Sequence, residues 1–298
     1  MSLSTSFDRR GSGFAGLAWP DRVKKAEVYL MMQSDVARVS GRLGLARGTA
    51  GATAAEWMAA HCEDAKVQAA VADDIARSFN GKAEVGALAT FVPEVAAGRD
   101  GRAELGLNAL RFAVRLVPLL RSRGHDVRVI ELVGGGIATG LREADRQTKD
   151  TRHGWLVDKK TLQSACASVF GRLDLLAPDL AEADAALAFE MEPGPLFAFG
   201  SPSDPIAALG VICECMDQFV ERNALDPGLV GLNLDIGHFM IAKLRPGDLP
   251  AWAREKIGHA HVSDHGAGHF GDSVVASLSD EESRSEERRV GKECRSRW

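Results

Sequence analysis

The amino-acid sequence predicts a (β/α) barrel, because short β-rich runs alternate with long amphipathic segments. That alternation is typical of a parallel sheet, which is either open or closed into a barrel. Acidic or imidazole side chains stand at the carboxyl ends of at least three runs, and in a barrel those ends converge on one mouth. An open sheet would usually carry a glycine-rich phosphate loop, and no G-x-G-x-x-G motif directly follows the first predicted run, Glu84–Phe91. These observations favour the barrel.

The strand predictions rest on five short runs rich in apolar and β-branched residues. They are Glu84–Phe91, Val127–Val133, Ala185–Met191, Leu229–Ile236 and Ile257–Ser263. Between them, apolar residues recur at steps of three or four, which predicts helices. One such series is Leu162, Cys166, Val169, Leu173 and Leu176; another is Ile206, Leu209, Cys213, Met216 and Val220. Ala103–Leu120 is a further predicted helix, bent or ended near Pro118.

The first 80 residues carry weaker patterns. Ala54–Ala60, Ala65–Ser78 and Val23–Leu30 are predicted to supply helices and one early strand. Arg42–Gly51 is rich in glycine and alanine and is predicted to be a loop. Eight strands cannot be identified from the sequence pattern alone.

The composition is that of an ordinary soluble protein. The chain has 298 residues, of which 45% are hydrophobic and 26% are charged, and its formal net charge is −5. The acidic balance, without a Lys/Arg-rich face, argues against nucleic-acid binding. Met1–Arg10 has no apolar core typical of a secretory signal, and no apolar run is long enough to span a membrane. A cytoplasmic location is the resulting expectation.

The last fifteen residues differ from the rest of the chain. Arg284–Trp298 (RSEERRVGKECRSRW) has six basic residues and no periodic apolar pattern. It resembles a sequencing adapter translated in frame, although a genuine basic tail is the alternative. We therefore predict a single domain over residues 1–283, a non-native tail over residues 284–298, and a natural protein that continues past Ser283.

Candidate metal ligands are concentrated after the later strands. Five of the eight histidines lie between His238 and His269, in the segments LNLDIGH (Leu232–His238) and HAHVSDHGAGHFGD (His259–Asp272). The segment AFEMEPGP (Ala188–Pro195) precedes them. Carboxylate oxygens and imidazole nitrogens suit dications such as Mn, Mg, Co or Zn. Two carboxylates and one histidine leave coordination positions open for substrate oxygens, as a catalytic site requires.

These three segments are similar, in order and spacing, to motifs of the xylose isomerase-like superfamily of sugar isomerases, epimerases and apurinic endonucleases. In that family one strand ends in Glu, the next in Asp-x-x-His, and the next in His-x-x-Asp. The resemblance covers about Glu84 to Asp272 and implies a (β/α)8 TIM barrel. The family's last metal carboxylate, a Glu on the eighth strand, has no counterpart before Ser283, so the last βα unit is expected to be missing.

The resemblance also implies roles for individual residues. Glu190, Asp235 and His261 would bind the metal, and His238 would bind a substrate oxygen or, as in the nuclease branch, a further metal. The choice between Glu190 and Glu192 stays open, because both face the same side of a continuing strand. The hydrophobic-hydrophobic-Glu pattern favours Glu190, whereas the EPGP segment resembles a Glu-Pro-x-Pro of xylose isomerases and favours Glu192. The other glutamate would support the site or act as the base.

Each candidate also has a plainer interpretation. Asp235 could cap the helix after its strand, and His259 could serve only for packing. His269 is predicted to contact substrate, or else to face solvent. Glu131 is predicted to point into the barrel mouth as a substrate-binding residue, or else to be a polar residue satisfied by its neighbours.

The function that the resemblance implies is a metal-dependent isomerase or epimerase of a sugar or sugar phosphate. The dication would lower the cost of a developing enediolate, and Glu190 or Glu192 would move the proton, with His238 as the third catalytic residue. The alternatives are a keto-sugar or inositol dehydratase, a metal phosphodiesterase like the apurinic endonucleases, and a degenerate metal-binding barrel. Such barrels often pair, so a homo-oligomer is compatible with this interpretation.

Overall fold

A computed structural model describes eleven stretches of the chain. They are residues 4–7, 25–30, 40–45, 53–79, 83–90, 92, 102–133, 159–190, 205–236, 239 and 246–261. Within them, seven strands form one sheet in the order β1 to β7, and every neighbouring pair is parallel. The strands are β1 Ser4–Phe7, β2 Lys25–Tyr29, β3 Glu84–Thr90, β4 Val129–Val133, β5 Ala186–Glu190, β6 Val230–Asp235 and β7 Ile257–His261.

The order of the strands identifies the architecture. Each strand is hydrogen-bonded to the one that precedes it in the chain, so the sheet winds in one direction without a switch point. Cα atoms of β1 and β7 also come within 8 Å of each other, which shows that the sheet curls back on itself. An open doubly wound sheet reverses its strand order, whereas a (β/α) barrel does not. The prediction of a barrel is confirmed.

Helices follow each of the strands β2 to β6 in the described stretches. They are α1 Ala54–Ala60, α2 Ala65–Phe79, α3 Arg102–Arg121, α4 Lys159–Leu173, α5 Ala177–Ala183, α6 Pro205–Arg222 and α7 Ala251–Arg254. A capping box begins α1: the Thr53 side chain accepts a hydrogen bond from the Glu56 amide, and the Glu56 carboxylate accepts one from the Thr53 amide. None of the helices in the described stretches combines the length and the apolarity that crossing a bilayer requires.

Most of these early predictions agree with the structure, but one strand was missed. Helix α3 was predicted over Ala103–Leu120 and spans Arg102–Arg121, so it continues through Pro118 and ends three residues later. Of the predicted loop Arg42–Gly51 the structure describes residues 42–45, where Arg42 ends a short helical turn and residues 43–45 are not helical. No strand was predicted over residues 4–7, yet β1 lies there. The predicted early strand within Val23–Leu30 corresponds to β2.

The outer face of the sheet packs against the helices through apolar side chains. Phe189 on β5 contacts Phe170 on α4, with ring centroids 4.8 Å apart, and Phe170 in turn contacts Phe219 on α6 at 5.8 Å. All three rings are buried. Strands β6 and β7 approach so closely that a Cβ at Gly231 would lie 2.9 Å from the Lys256 carbonyl oxygen. The residue at this contact therefore has to be glycine.

The inner face is built differently, since small or polar residues occupy it. Side chains alternate between faces along a strand, and residues paired in a parallel sheet share a face. Glu27 pairs with Ala87, Glu131 with Ala188, Glu190 with Asn233, Asn233 with His259, and Asp235 with His261. The barrel interior therefore gathers acidic, amide and imidazole groups.

Candidate metal centre

Three consecutive strands each end in a residue that was predicted to bind the metal. Glu190 is the last residue of β5, Asp235 the last of β6 and His261 the last of β7. The Nδ1 atom of His261 lies 3.6 Å from Glu190 Oε1 and 3.8 Å from Asp235 Oδ2. Both carboxylates are buried. Both carboxylates therefore face His261 Nδ1, although Asp235 belongs to neither group of described side chains whose ligand atoms all lie within 4.8 Å of one another.

A fourth residue, Glu131 on β4, faces the same nitrogen. Its Oε1 atom lies 3.7 Å from His261 Nδ1 and accepts a hydrogen bond of 3.2 Å from the Asn233 amide. The same Asn233 nitrogen lies 3.2 Å from His261 Nδ1. Glu131, Glu190 and His261 each offer one ligand atom within 4.8 Å of the other two, a spacing that a metal ion could bridge.

The other nitrogen of His261 faces Glu27 on β2. Nε2 lies 2.7 Å from Glu27 Oε2, which is a hydrogen bond. His259, two residues earlier on β7, has its Nε2 atom 3.5 Å from Glu27 Oε1. Glu27 is completely buried. Glu27, His259 and His261 therefore form a second group whose potential ligand atoms lie within 4.8 Å of one another.

The electrostatics of the cluster depend on burial and on neighbouring charges. Burial raises the pKa of Glu131 well above its usual value, and the negative charges of Glu190 and Glu27 raise it further. Burial alone would raise the pKa of Glu27, but His259 and His261 outweigh it and lower that pKa to about 2. Burial alone would lower the pKa of His261, but Glu190 and Glu27 raise it to about 10.

A divalent cation fits this donor set. Glu131 Oε2 and Asn233 Oδ1 are buried and have no hydrogen-bond partner among the described residues. Buried polar atoms are normally satisfied, so atoms such as these require an explanation. Closely spaced carboxylates also repel one another, and a cation between them would relieve that repulsion. Carboxylate oxygens with one or two imidazoles are ligands that Mn, Mg, Co and Zn accept.

The other predicted site residues are accounted for as follows. Glu192, His238 and His269 lie outside the described residues. Glu131 was predicted either to point into the barrel or to be satisfied by its neighbours; it points inward, and the described residues leave its Oε2 without a partner. Whether it contacts a substrate remains a prediction.

Sequence reasoning missed Glu27 and Asn233 and gave His259 no firm role. A signal for Glu27 was available, because it is a lone acidic residue within the short apolar run Ala26–Leu30. Asn233 alternates with Asp235 along β6, as His259 does with His261 along β7. Alternation therefore predicts that both residues share the inner face once the ends of those strands are assigned to the site.

Comparison with known proteins bears on the fold. No protein-family model matches the chain, and no curated protein sequence does. Among solved structures, a D-tagatose 3-epimerase-like protein matches with a TM-score of 0.51 and 11% identity, over 98% of this chain and 87% of that one. A 3-keto-D-glucoside 4-epimerase from E. coli matches with a TM-score of 0.43 and 13% identity, over 89% and 79% of the two chains. The IOLI protein with a bound zinc atom matches with a TM-score of 0.45 and 14% identity, over 94% and 77%.

At these identities the likeness concerns the backbone, and it agrees with the parallel, sequentially ordered sheet. The chain therefore has a (β/α) barrel fold.

Proposed function

We propose that the protein is a metal-dependent isomerase or epimerase that acts beside a carbonyl group of a sugar or sugar phosphate. The observation that carries the proposal is the arrangement around His261 Nδ1, which faces Glu131, Glu190 and Asp235 at distances of 3.6 to 3.8 Å. A structural ion pair needs one carboxylate, and three converging on one nitrogen at the barrel mouth are typical of a cation site.

Glu190, Asp235 and His261 would hold the cation, and the Glu131 carboxylate lies as close to His261 Nδ1 as that of Asp235 does. Glu190 is preferred over Glu192 as the ligand because its carboxylate faces His261 Nδ1. Asn233 supports the arrangement, since its amide donates to Glu131 and keeps that carboxylate turned toward His261. A dication with oxygen and nitrogen ligands of this kind is Mn, Mg, Co or Zn.

The reaction would be proton transfer at the carbon beside the carbonyl. When bound, the cation would polarise the carbonyl and stabilise negative charge that develops on its oxygen. The chain itself would supply the base, and Glu192 takes this role if Glu190 holds the cation. His238, which follows β6, would orient a substrate hydroxyl. The buried carboxylates lie in an interior that excludes bulk water, which strengthens these electrostatic contacts.

A dehydratase of keto-sugars or inositols would begin with the same proton removal and then expel a hydroxyl group. The same residues would serve an isomerase or a dehydratase, so identifying the product distinguishes the two reactions. A metal phosphodiesterase would instead cleave an abasic-site phosphodiester, and a non-catalytic barrel would bind the ion without turnover.

The test is to measure metal content and then proton exchange. The protein should bind a dication, and aldoses, ketoses and their phosphates should be screened for deuterium uptake from heavy water beside the carbonyl. Asp235→Ala should abolish metal binding and exchange, whereas Asp217→Ala on the exposed face of α6 should change neither. Elimination products would identify a dehydratase, and bound metal without turnover would identify a non-catalytic barrel. Full metal-dependent turnover by Asp235→Ala would refute the ligand assignment.

A further inference from the structure

We propose that Glu27 is a positioning residue for the candidate metal centre, because it holds the His261 ring with Nδ1 facing Glu131, Glu190 and Asp235. The inference deepens the proposed function and rests on it, since it requires a cation at that centre. Glu27 would contact neither the cation nor the substrate; it would act through His261.

The two nitrogens of His261 have different environments. Nε2 makes a hydrogen bond of 2.7 Å to Glu27 Oε2, whereas Nδ1 has three carboxylates at 3.6 to 3.8 Å. An ionised carboxylate can only accept a hydrogen bond, so Nε2 carries the proton in that contact. Nδ1 is then the nitrogen that would give up its proton and offer its lone pair to a metal. Histidines that bind metals usually donate their other N–H to such a carboxylate, which fixes both tautomer and ring orientation.

The position of Glu27 in the fold supports a role in the site. Its strand, β2, lies near the start of the chain, and the hydrogen bond to His261 joins residues 234 positions apart. The residues paired with β2 on the inner face of β3 are Ala87 and Ala89, which leave room for the glutamate to reach across the interior. Glu27 is completely buried, and a buried ion pair is often no more stable than apolar residues of similar volume in its place. The presence of Glu27 is therefore explained better by a role at the candidate metal centre than by a contribution to the stability of the fold.

A competing arrangement uses the same residues. Glu27, His259 and His261 could themselves bind a cation through Nε2 of His261. In that case the 2.7 Å hydrogen bond between Glu27 and His261 would have to be replaced by two metal contacts. If Nδ1 also bound the first cation, the imidazole would bridge two ions. The two arrangements predict different metal stoichiometries.

The experiment is a Co²⁺ titration against a competing chelator, with visible spectra recorded at each step, on the wild-type protein and four variants. Glu27→Gln keeps an oxygen that can accept from Nε2–H but loses the charge, and Glu27→Ala loses both. We expect one site of unchanged stoichiometry, with affinity reduced about 10-fold in Glu27→Gln and about 100-fold in Glu27→Ala, the range found for such supporting partners. The Co²⁺ spectrum should shift in Glu27→Ala because the ring is no longer held.

Two control variants distinguish a failure of the proposed role of Glu27 from a failure of the proposed function. Glu84→Gln, at the exposed start of β3, should bind Co²⁺ like the wild type. Glu190→Gln should lose binding; if it does not, or if the wild type binds no Co²⁺, the proposed function fails rather than the role of Glu27. Wild-type affinity in folded Glu27→Ala would overturn the positioning role. A fall from two bound ions to one would also overturn it, because Glu27 would then be a ligand.

A measurement on the wild-type protein keeps the inference testable if the variants do not fold. Nitrogen NMR of the histidine rings with bound Zn²⁺ should show His261 metallated at Nδ1 and protonated at Nε2. Metallation at Nε2 would contradict the proposed role of Glu27.

Discussion

The two faces of the barrel sheet differ in what they contribute, and strand β5 shows both. Phe189 faces outward and packs against Phe170, whereas Glu190, the next residue, faces inward toward His261. The outer face buries apolar surface, which favours folding. The inner face buries carboxylates that repel one another, as the raised pKa of Glu131 shows. The outer face therefore stabilises a structure in which the inner face can hold an unfavourable cluster of charges.

If the two faces have these separate roles, substituting Phe189 should change the stability of the fold, and substituting its neighbour Glu190 should change cation affinity. Phe189→Ala should have the largest effect on stability, lowering the free energy of unfolding by about 3–5 kcal/mol, because a buried ring is replaced by a cavity. Urea denaturation followed by circular dichroism measures this. The cation affinity of the folded fraction should remain that of the wild type. A loss below about 1 kcal/mol, or an intact fold that no longer binds the cation, would show that the faces are not independent.

Glu190→Gln should weaken cation binding and leave the stability of the metal-free fold unchanged. Its affinity for Zn²⁺ should fall by more than about 100-fold, since loss of a direct ligand exceeds the effect of losing a supporting partner. The metal-free variant should unfold at about the same urea concentration as the metal-free wild type, because the lost attraction to His261 is offset by the lost repulsion with Glu131. Chelator competition measures the affinity. A metal-free variant that is clearly less stable would assign Glu190 a structural role instead.

The outer face is also the part of the fold that sequence predicts well. Runs rich in apolar and β-branched residues located β3 to β7 within two residues at every boundary; for example, Leu229–Ile236 was predicted and Val230–Asp235 is observed. Helices α1 and α2 were also anticipated as Ala54–Ala60 and Ala65–Ser78. These elements have strong periodicity because one face of each is buried. Strand β1 was missed because Ser4–Phe7 has a single large apolar residue and no alternation.

Apart from Glu131 in the middle of β4, the inner face was predicted where a polar residue ends a strand. Glu190, Asp235 and His261 were recognised as candidates because each ends an apolar run. Glu27 was not, since it lies in the middle of β2 and its partner His261 is at the other end of the sequence. Only the curvature of the sheet brings these two residues together, and curvature cannot be deduced from local patterns. The ligand set itself remains a prediction.

A smaller effect is expected from the cation on the stability of the whole barrel. At a free concentration of 100 times its dissociation constant, a cation that binds only the folded state should raise the free energy of unfolding by about 2.7 kcal/mol. The increment should be retained in Phe189→Ala and lost in Glu190→Gln. Thermal or urea unfolding with and without Zn²⁺ measures it. An equal increment in Glu190→Gln would mean that the ion stabilises the fold from another site.

The smallest effect tests a polar contact in the helical layer, away from both faces of the sheet. The Trp57 indole on α1 donates a hydrogen bond of 2.9 Å to the Ser40 hydroxyl, and its ring packs edge-on against Phe112 of α3. Both partners of the hydrogen bond are buried. Ser40→Ala removes the acceptor and leaves a buried N–H unsatisfied, which should lower the free energy of unfolding by about 1–2 kcal/mol. Cation affinity should not change, because none of the described contacts joins these residues to the carboxylates around His261.

The matched variant Trp57→Phe deletes the donor and keeps most of the apolar surface, so the double variant should be less destabilised than the sum of the two single variants. Strict additivity would show that the hydrogen bond contributes nothing to stability and that the outer layer is held by apolar packing alone.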